Sequence, residues 1–162
     1  MNRSCDISTT TITDTGDTVR RTSTELRLTM PSKLAAVALT VEMVRRMMET
    51  LDLDHDWISR TELCLQEALL NAHVHGNRGD PERTIYLRCM FSADKIELQV
   101  EDQGGGYEPD RQVSNIGTIK PTGRGLFLIR ELMDSVVVNS TGNQIVMSIT
   151  KESKYGNQCY AG

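Results

Sequence analysis

A chain of 162 residues with 18 Lys and Arg against 22 Asp and Glu carries a net charge of −4, dispersed in both signs, which argues against wrapping nucleic acid along a basic stripe. The length fits one domain whose core needs no staples. No apolar run reaches the length of a membrane span, and the N-terminus MNRSCDISTTTITD lacks the apolar stretch of a secretory signal, so neither membrane nor export is expected.

Residues 1–23 are rich in Thr, Ser and Asp, show no apolar periodicity, and are expected to form a flexible arm. Structure is predicted to begin near Thr24, where Glu25-Leu26-Arg27-Leu28-Thr29-Met30 alternates as a half-buried strand does. Pro31 stops it, and Ser32 suits an N-cap. Leu34, Val37, Ala38, Val41, Val44, Met48 and Leu51 then recur at spacings of three and four, one face of an amphipathic helix. Asp56 can cap a second helix over 57–75 that ends at Gly76. Two strand patterns, 84–91 and 95–101, are joined tightly by Ser92-Ala93-Asp94 as a hairpin. Residues 103–122 are Gly, Pro and polar-rich, and a connection of that length inside a domain is usually functional. A helix over 123–133 and two strands over 135–139 and 144–151 complete a domain of residues 24–151, and 152–162 read as a loose tail. Cys5, Cys64, Cys89 and Cys159 form no CxxC pair; Cys64 and Cys89 fall in apolar patterns, as buried free thiols of a reducing cytoplasm do. The order of elements predicts an α+β two-layer sandwich, with helices on one face of a mixed, mostly antiparallel sheet.

Three segments carry chemistry. On the second helix, Glu67, Asn71 and His75 stand at i, i+4 and i+8, one stripe. A carboxylate and a carboxamide oxygen so stacked suit a base beside Mg²⁺, although ExxxN alone also describes a solvated helix face and His75 also suits a helix C-terminus. Asp102 ends a strand and is followed by Gln103-Gly104-Gly105-Gly106. Its carboxylate can accept from an exocyclic amine such as adenine's, while the glycines let backbone approach a flat ligand. Pro121-Thr122-Gly123-Arg124-Gly125-Leu126 opens a helix whose unpaired N–H groups favour phosphate. No GxxxxGK[ST] loop is present, so this is not a P-loop protein.

In order and spacing the three segments resemble the N-box, DxGxG box and GxG box of the GHKL superfamily, the gyrase, Hsp90, histidine kinase and MutL type with its Bergerat fold. Within it, Glu67-Ala68-Leu69-Leu70-Asn71-Ala72-His73-Val74-His75-Gly76 and Gly123-Arg124-Gly125-Leu126-Phe127-Leu128-Ile129-Arg130-Glu131-Leu132-Met133-Asp134 are similar to the serine-kinase anti-sigma factors of bacterial partner-switching systems. The resemblance implies ATP and Mg²⁺ as cofactors. Glu67 would be the general base and Asn71 the Mg²⁺ ligand. Asp102 would read adenine, Gly104 and Gly106 would shape its pocket and the lid hinge, and residues 107–122 would be the lid. His75, Thr122, Gly123, Arg124, Gly125 and Leu126 would complete the ATP site with Asn71. Implied partners are a STAS-domain anti-anti-sigma protein, which carries the acceptor serine, a sigma factor or other output protein, and a second copy of the chain. Direct nucleic-acid contact is not implied. One departure is Gly142-Asn143-Gln144, where the family usually reads G-T-T. Two alternatives stand beside this reading. One is an ATP-binding regulatory module without kinase activity. The other is a detached histidine-kinase-type catalytic domain, for which the chain is short and only His55-Asp56-Trp57-Ile58-Ser59-Arg60 distantly resembles a phospho-acceptor box.

Overall fold

The alternation at Leu26, Leu28 and Met30 turns one side of β2 (Arg21–Pro31) into the core, where all three side chains are buried. The computed structural model describes residues 6–14, 21–106 and 124–151. After β2 come α1 (Leu34–Thr50) and α2 (His55–Asn71), then β3 (Thr84–Ser92), β4 (Lys95–Asp102), α3 (Arg124–Leu132), β5 (Ser135–Val138) and β6 (Gln144–Thr150). With β1 (Asp6–Asp14) the strands form one sheet in the order β1-β2-β3-β4-β6-β5, and every described pair is antiparallel. The helices cover one face as expected. α2 lies between α1 and α3 and reaches β4 and β6.

Period 3.6 meeting period 2 builds the core. α2 buries Ile58, Thr61, Cys64, Leu65, Ala68 and Leu69, and α1 buries Val37, Val41, Val44 and Met48. They close over Leu87, Cys89, Phe91, Ile96, Leu98, Val100, Met147 and Ile149 from the sheet. The far face of the sheet is polar. There Glu25 accepts from Arg88 and pairs with Arg27, and these guanidiniums, Arg88 first, hold its carboxyl below the usual range.

Three expectations are corrected. The segment expected as an arm contains β1, which pairs with β2 from Asp6↔Thr29 to Asp14↔Arg21, and β2 itself starts at Arg21. The stretch DISTTTITD lacks apolar alternation because an edge strand need not line a core, while its β-branched Thr and Ile favour extended backbone. Ser32 is not the α1 cap; Lys33 holds that position, and the Ser32 hydroxyl bonds His73 instead. Asp54, not Asp56, caps α2, accepting from the N–H groups of Asp56 (2.9 Å) and Trp57 (3.2 Å). Residues 1–5, 15–20, 107–123 and 152–162, including Cys5, Cys159 and the expected tail, lie outside the described residues.

Cys64 and Cys89 are buried free thiols, as expected. Burial pushes the Cys64 thiol up to about 12, against the pull of Arg60 and with help from Glu67. Burial alone raises Cys89. Since the thiolate is the nucleophile, iodoacetamide at neutral pH should leave both unmodified in the folded chain and alkylate both after denaturation. Peptide mass mapping reads the result, and labelling of either in the folded protein contradicts it.

Candidate functional site

Beyond Asn71 the α-helix widens into one π-helical turn, Ala72–Gly76, closed by the Asn77 N–H donating to the Ala72 carbonyl at 2.7 Å. Arg78 (φ 57°) and Gly79 (φ 71°) then reverse the chain, and the Gly79 N–H donates to the His73 carbonyl at 2.8 Å. The Ser32 hydroxyl, 3.0 Å from His73 Nδ1, ties this turn to the end of β2. The turn delivers Gly76 against the end of β4. A Cβ on Gly76 would collide with the Asp102 carboxylate, and one on Gly104 would collide with the Gly76 carbonyl. Helix end and Asp loop therefore meet backbone to backbone.

Asp102 is buried at the end of β4, opposite Ile85 in the β3 register. Its N–H donates to the Asn143 carbonyl at 2.9 Å, and the Asn143 amide donates back to the Asp102 carbonyl at 3.2 Å. Its Oδ1 accepts from the Gly104 N–H at 2.7 Å. Gly106 (φ 84°) lies so close to the Thr141 carbonyl that no side chain fits.

These elements enclose a cavity of about 230 Å³. Asn71, His75, Asp102 and Leu126 line it, with Ala68, Ala72, Val100, Val138 and Ile145 as apolar walls. Glu67 stands at its edge, where α3 begins. A Cβ on Gly125 would lie 2.6 Å from Glu67 Oε2 and 3.2 Å from Asn71 Nδ2. Arg124 is the exposed first residue of α3, whereas Thr122, Gly123 and the expected lid lie outside the described residues. Of the positions singled out in the sequence, Glu67, Asn71, His75, Asp102, Gly104, Gly125 and Leu126 thus converge, while Gly106 packs on the β5–β6 turn.

The arrangement fits a flat heterocycle. One buried carboxylate faces a slot with apolar walls and the amides of Asn71, Asn143 and Gln144 in its lining, and glycines at Gly76 and Gly104 keep side chains out of the carboxylate's surroundings. Among the described residues no three His, Cys, Asp or Glu side chains group as a metal cage. Mg²⁺ needs none when phosphates and water supply most of its oxygens, and the Asn71 amide at the α3 end of the cavity suits a single contact. Residues 30–149 match the family model of the histidine kinase-like ATPase domain. The chain belongs to that family. This ATPase domain is 32% identical over 95 residues to the anti-sigma F factor of Oceanobacillus iheyensis, across 56% of this chain and 65% of that protein, so the match spans just under two thirds of that relative's length. It is 28% identical over 104 residues to the serine-protein kinase RsbW of Bacillus subtilis, across 58% of this chain and 65% of that one. It is 25% identical over 134 residues to RsbW of Listeria monocytogenes, across 76% and 85%.

Two residues that shape the cavity and the Asp loop carry no site signal in the sequence. In the sequence Asn143 stands out only as a departure from G-T-T, yet it lines the cavity and braces Asp102 through two hydrogen bonds. Its Oδ1 also accepts from Asn139 Nδ2 at 2.9 Å. Asn77 followed the N-box without a signal, yet it is fully buried against the Asp loop. A polar residue directly after a helix-ending glycine was the available hint.

Burial raises the Asp102 carboxyl above its ordinary value, against the lowering influence of the Gly104 N–H and Arg83. Ionising it therefore costs more in the folded chain than in the unfolded one. That cost is full above the folded pKa and vanishes as pH falls below the unfolded pKa. In ligand-free protein Asp102→Asn should match or exceed the wild-type melting temperature at neutral pH, and the difference should shrink on acidification. A variant clearly less stable at neutral pH would contradict this account.

Proposed function

We propose that this chain is an ATP-dependent protein-serine kinase and anti-sigma-type regulator. It phosphorylates a STAS-domain anti-anti-sigma partner and sequesters a sigma factor or other output protein, working in the cytoplasm and as a possible homodimer. The convergence of Glu67 and Asn71 on Gly125, at one end of a cavity with Asp102 in its wall, carries the reading. The names of the relatives, an anti-sigma F factor and two serine-protein kinases, support it.

In this reading Asp102 accepts from the adenine amine while the apolar walls flank the ring. Gly104 shapes the pocket beside the Asp102 carboxylate, and Gly106, set against the Thr141 carbonyl, serves the hinge of the lid. Asn71 contributes an oxygen to Mg²⁺, which neutralises phosphate charge when bound. His75, Thr122, Gly123, Arg124, Gly125 and Leu126 complete the contacts, with Arg124 and the start of α3 facing the phosphates. Glu67 takes the proton of the acceptor serine as its oxygen bonds the γ-phosphorus and the bond to the bridging oxygen breaks, releasing ADP.

The test is incubation of the purified chain with Mg-ATP and a STAS-domain protein bearing the acceptor serine. Wild type should label that serine. Glu67→Gln should slow labelling by about 10²-fold or more while nucleotide still binds. Labelling that survives the substitution would sink the assignment of the base. Nucleotide binding with no labelling of any STAS acceptor would favour a regulatory module without kinase activity.

Gly125→Ala gives an independent check. Its Cβ would displace the flexible end of Glu67, 2.6 Å away. The variant should fold normally but label about tenfold more slowly or worse, because small misplacements of a reacting group are costly. A wild-type rate in a folded Gly125→Ala protein would remove Glu67 from the reacting centre.

A further inference from the structure

We propose that Asn77 is a positioning residue that sets how the Asp102 carboxylate stands in the cavity, and thereby decides which purine base the site accepts. The inference deepens the proposed function and rests on its assignment of Asp102 to the base amine.

Asn77 is 0% exposed, and both ends of its side chain are used. Its Oδ1 accepts from the Gln103 N–H at 2.9 Å, and its Nδ2 donates to the Thr84 carbonyl at 2.9 Å. Gln103 Oε1 in turn accepts from the Thr84 N–H at 2.9 Å, so the start of β3, the Asp loop and the π-turn form one polar knot. Such buried amides hold their partners firmly, because a partner left unpaired away from water is costly.

The position of this knot matters more than its strength. The Gln103 N–H belongs to the peptide that immediately follows Asp102. On the other side, the Asp102 N–H is held by the Asn143 carbonyl at 2.9 Å. The backbone is therefore clamped on both sides of the Asp102 side chain. Asn77 supplies the clamp from the cap of the π-turn that follows the helix carrying Asn71, and its own N–H closes that turn. With the carboxylate so held, Oδ1 is occupied by the Gly104 N–H and Oδ2 has no hydrogen-bond donor among the described residues. A fixed carboxylate oxygen accepts from an amine and repels a carbonyl at the same place. A carboxylate free to withdraw and hydrate would discriminate less.

Inosine triphosphate carries a carbonyl where ATP carries the amine, so the ratio of the two dissociation constants reads this contact directly. Calorimetric titration with both nucleotides should show wild type preferring ATP by about tenfold or more, the scale of one charge-assisted hydrogen bond. Asn77→Ala should cut that ratio by about fivefold or more, mainly through weaker ATP binding. Asn77→Leu keeps the branched shape without either hydrogen bond, leaves no cavity, and gives the same reading if the alanine cavity unfolds the chain. Gln103→Ala loosens the same loop but keeps the backbone N–H that Asn77 holds, so its ratio should stay near wild type. If Asn77 only staples the fold, its variants weaken both nucleotides equally and the ratio stays put, which overturns the inference. An equal fall in Gln103→Ala overturns it too, by making the effect one of general loosening. A wild type without preference would instead overturn the base reading of Asp102 itself.

Discussion

The end of α2 and the end of β4 meet backbone against backbone, and the site depends on that approach. Gly76 and Gly104 have no room for a Cβ because each lies against the other's loop or against Asp102. A regular α-helix would close each turn on the fourth residue. The π-turn closes on the fifth, through Asn77 and Ala72, and so carries the helix end across to the sheet. Glycine is required here by contact distance rather than by a left-handed backbone.

From that junction α2 acts as the spine of the site. One side buries Cys64, Leu65, Ala68 and Leu69 and is fixed by the core. The adjoining side presents Glu67 and Asn71 toward the start of α3. The position of α3 is set from both ends. At its start, Gly125 leaves room for the Glu67 carboxylate. At its end, the Arg60 guanidinium of α2 donates to the Leu132 carbonyl, satisfying a group the helix itself cannot pair. The Asp134 carboxylate then accepts from the Thr150 N–H at 2.8 Å and docks the chain onto β6. Functional side chains so mounted inherit the rigidity of packed elements.

The carboxylate at the cavity wall is held against its own preference. Burial disfavours the charged form of Asp102, and only the Gly104 N–H and the more distant Arg83 favour it. A folding core has no need of such a group, since an apolar or amide side chain would cost less there. A carboxylate retained under those conditions is what a binding site for a hydrogen-bond donor calls for. Asn77 and Asn143 hold the two peptides that flank it, so its backbone is fixed while the carboxylate bears the cost of burial.

Most of this architecture was legible in local pattern. Periodicities of 3.6 and 2 mark the helices and all described strands but β1, and the glycines beside Asp102 and at Gly125 mark the Asp loop and the start of α3, which meet the end of α2. Such patterns are written in neighbouring residues, so a single sequence carries them. Strand β1 escaped because an edge strand beside a single neighbour need not alternate. Asn77 and Asn143 escaped because their partners, Gln103 and Asp102, lie 26 and 41 residues away. The stripe of Glu67 and Asn71, by itself more a solvated helix face than a site, gained meaning in the sequence from the Asp102 and Gly123 segments that follow it, and the fold sets Gly125 against it. The sequence by itself determined the elements, the core faces and the residue types able to meet a nucleotide. The tertiary structure alone decided which of them meet, because hydrogen bonds and close backbone contacts between distant segments leave no local trace.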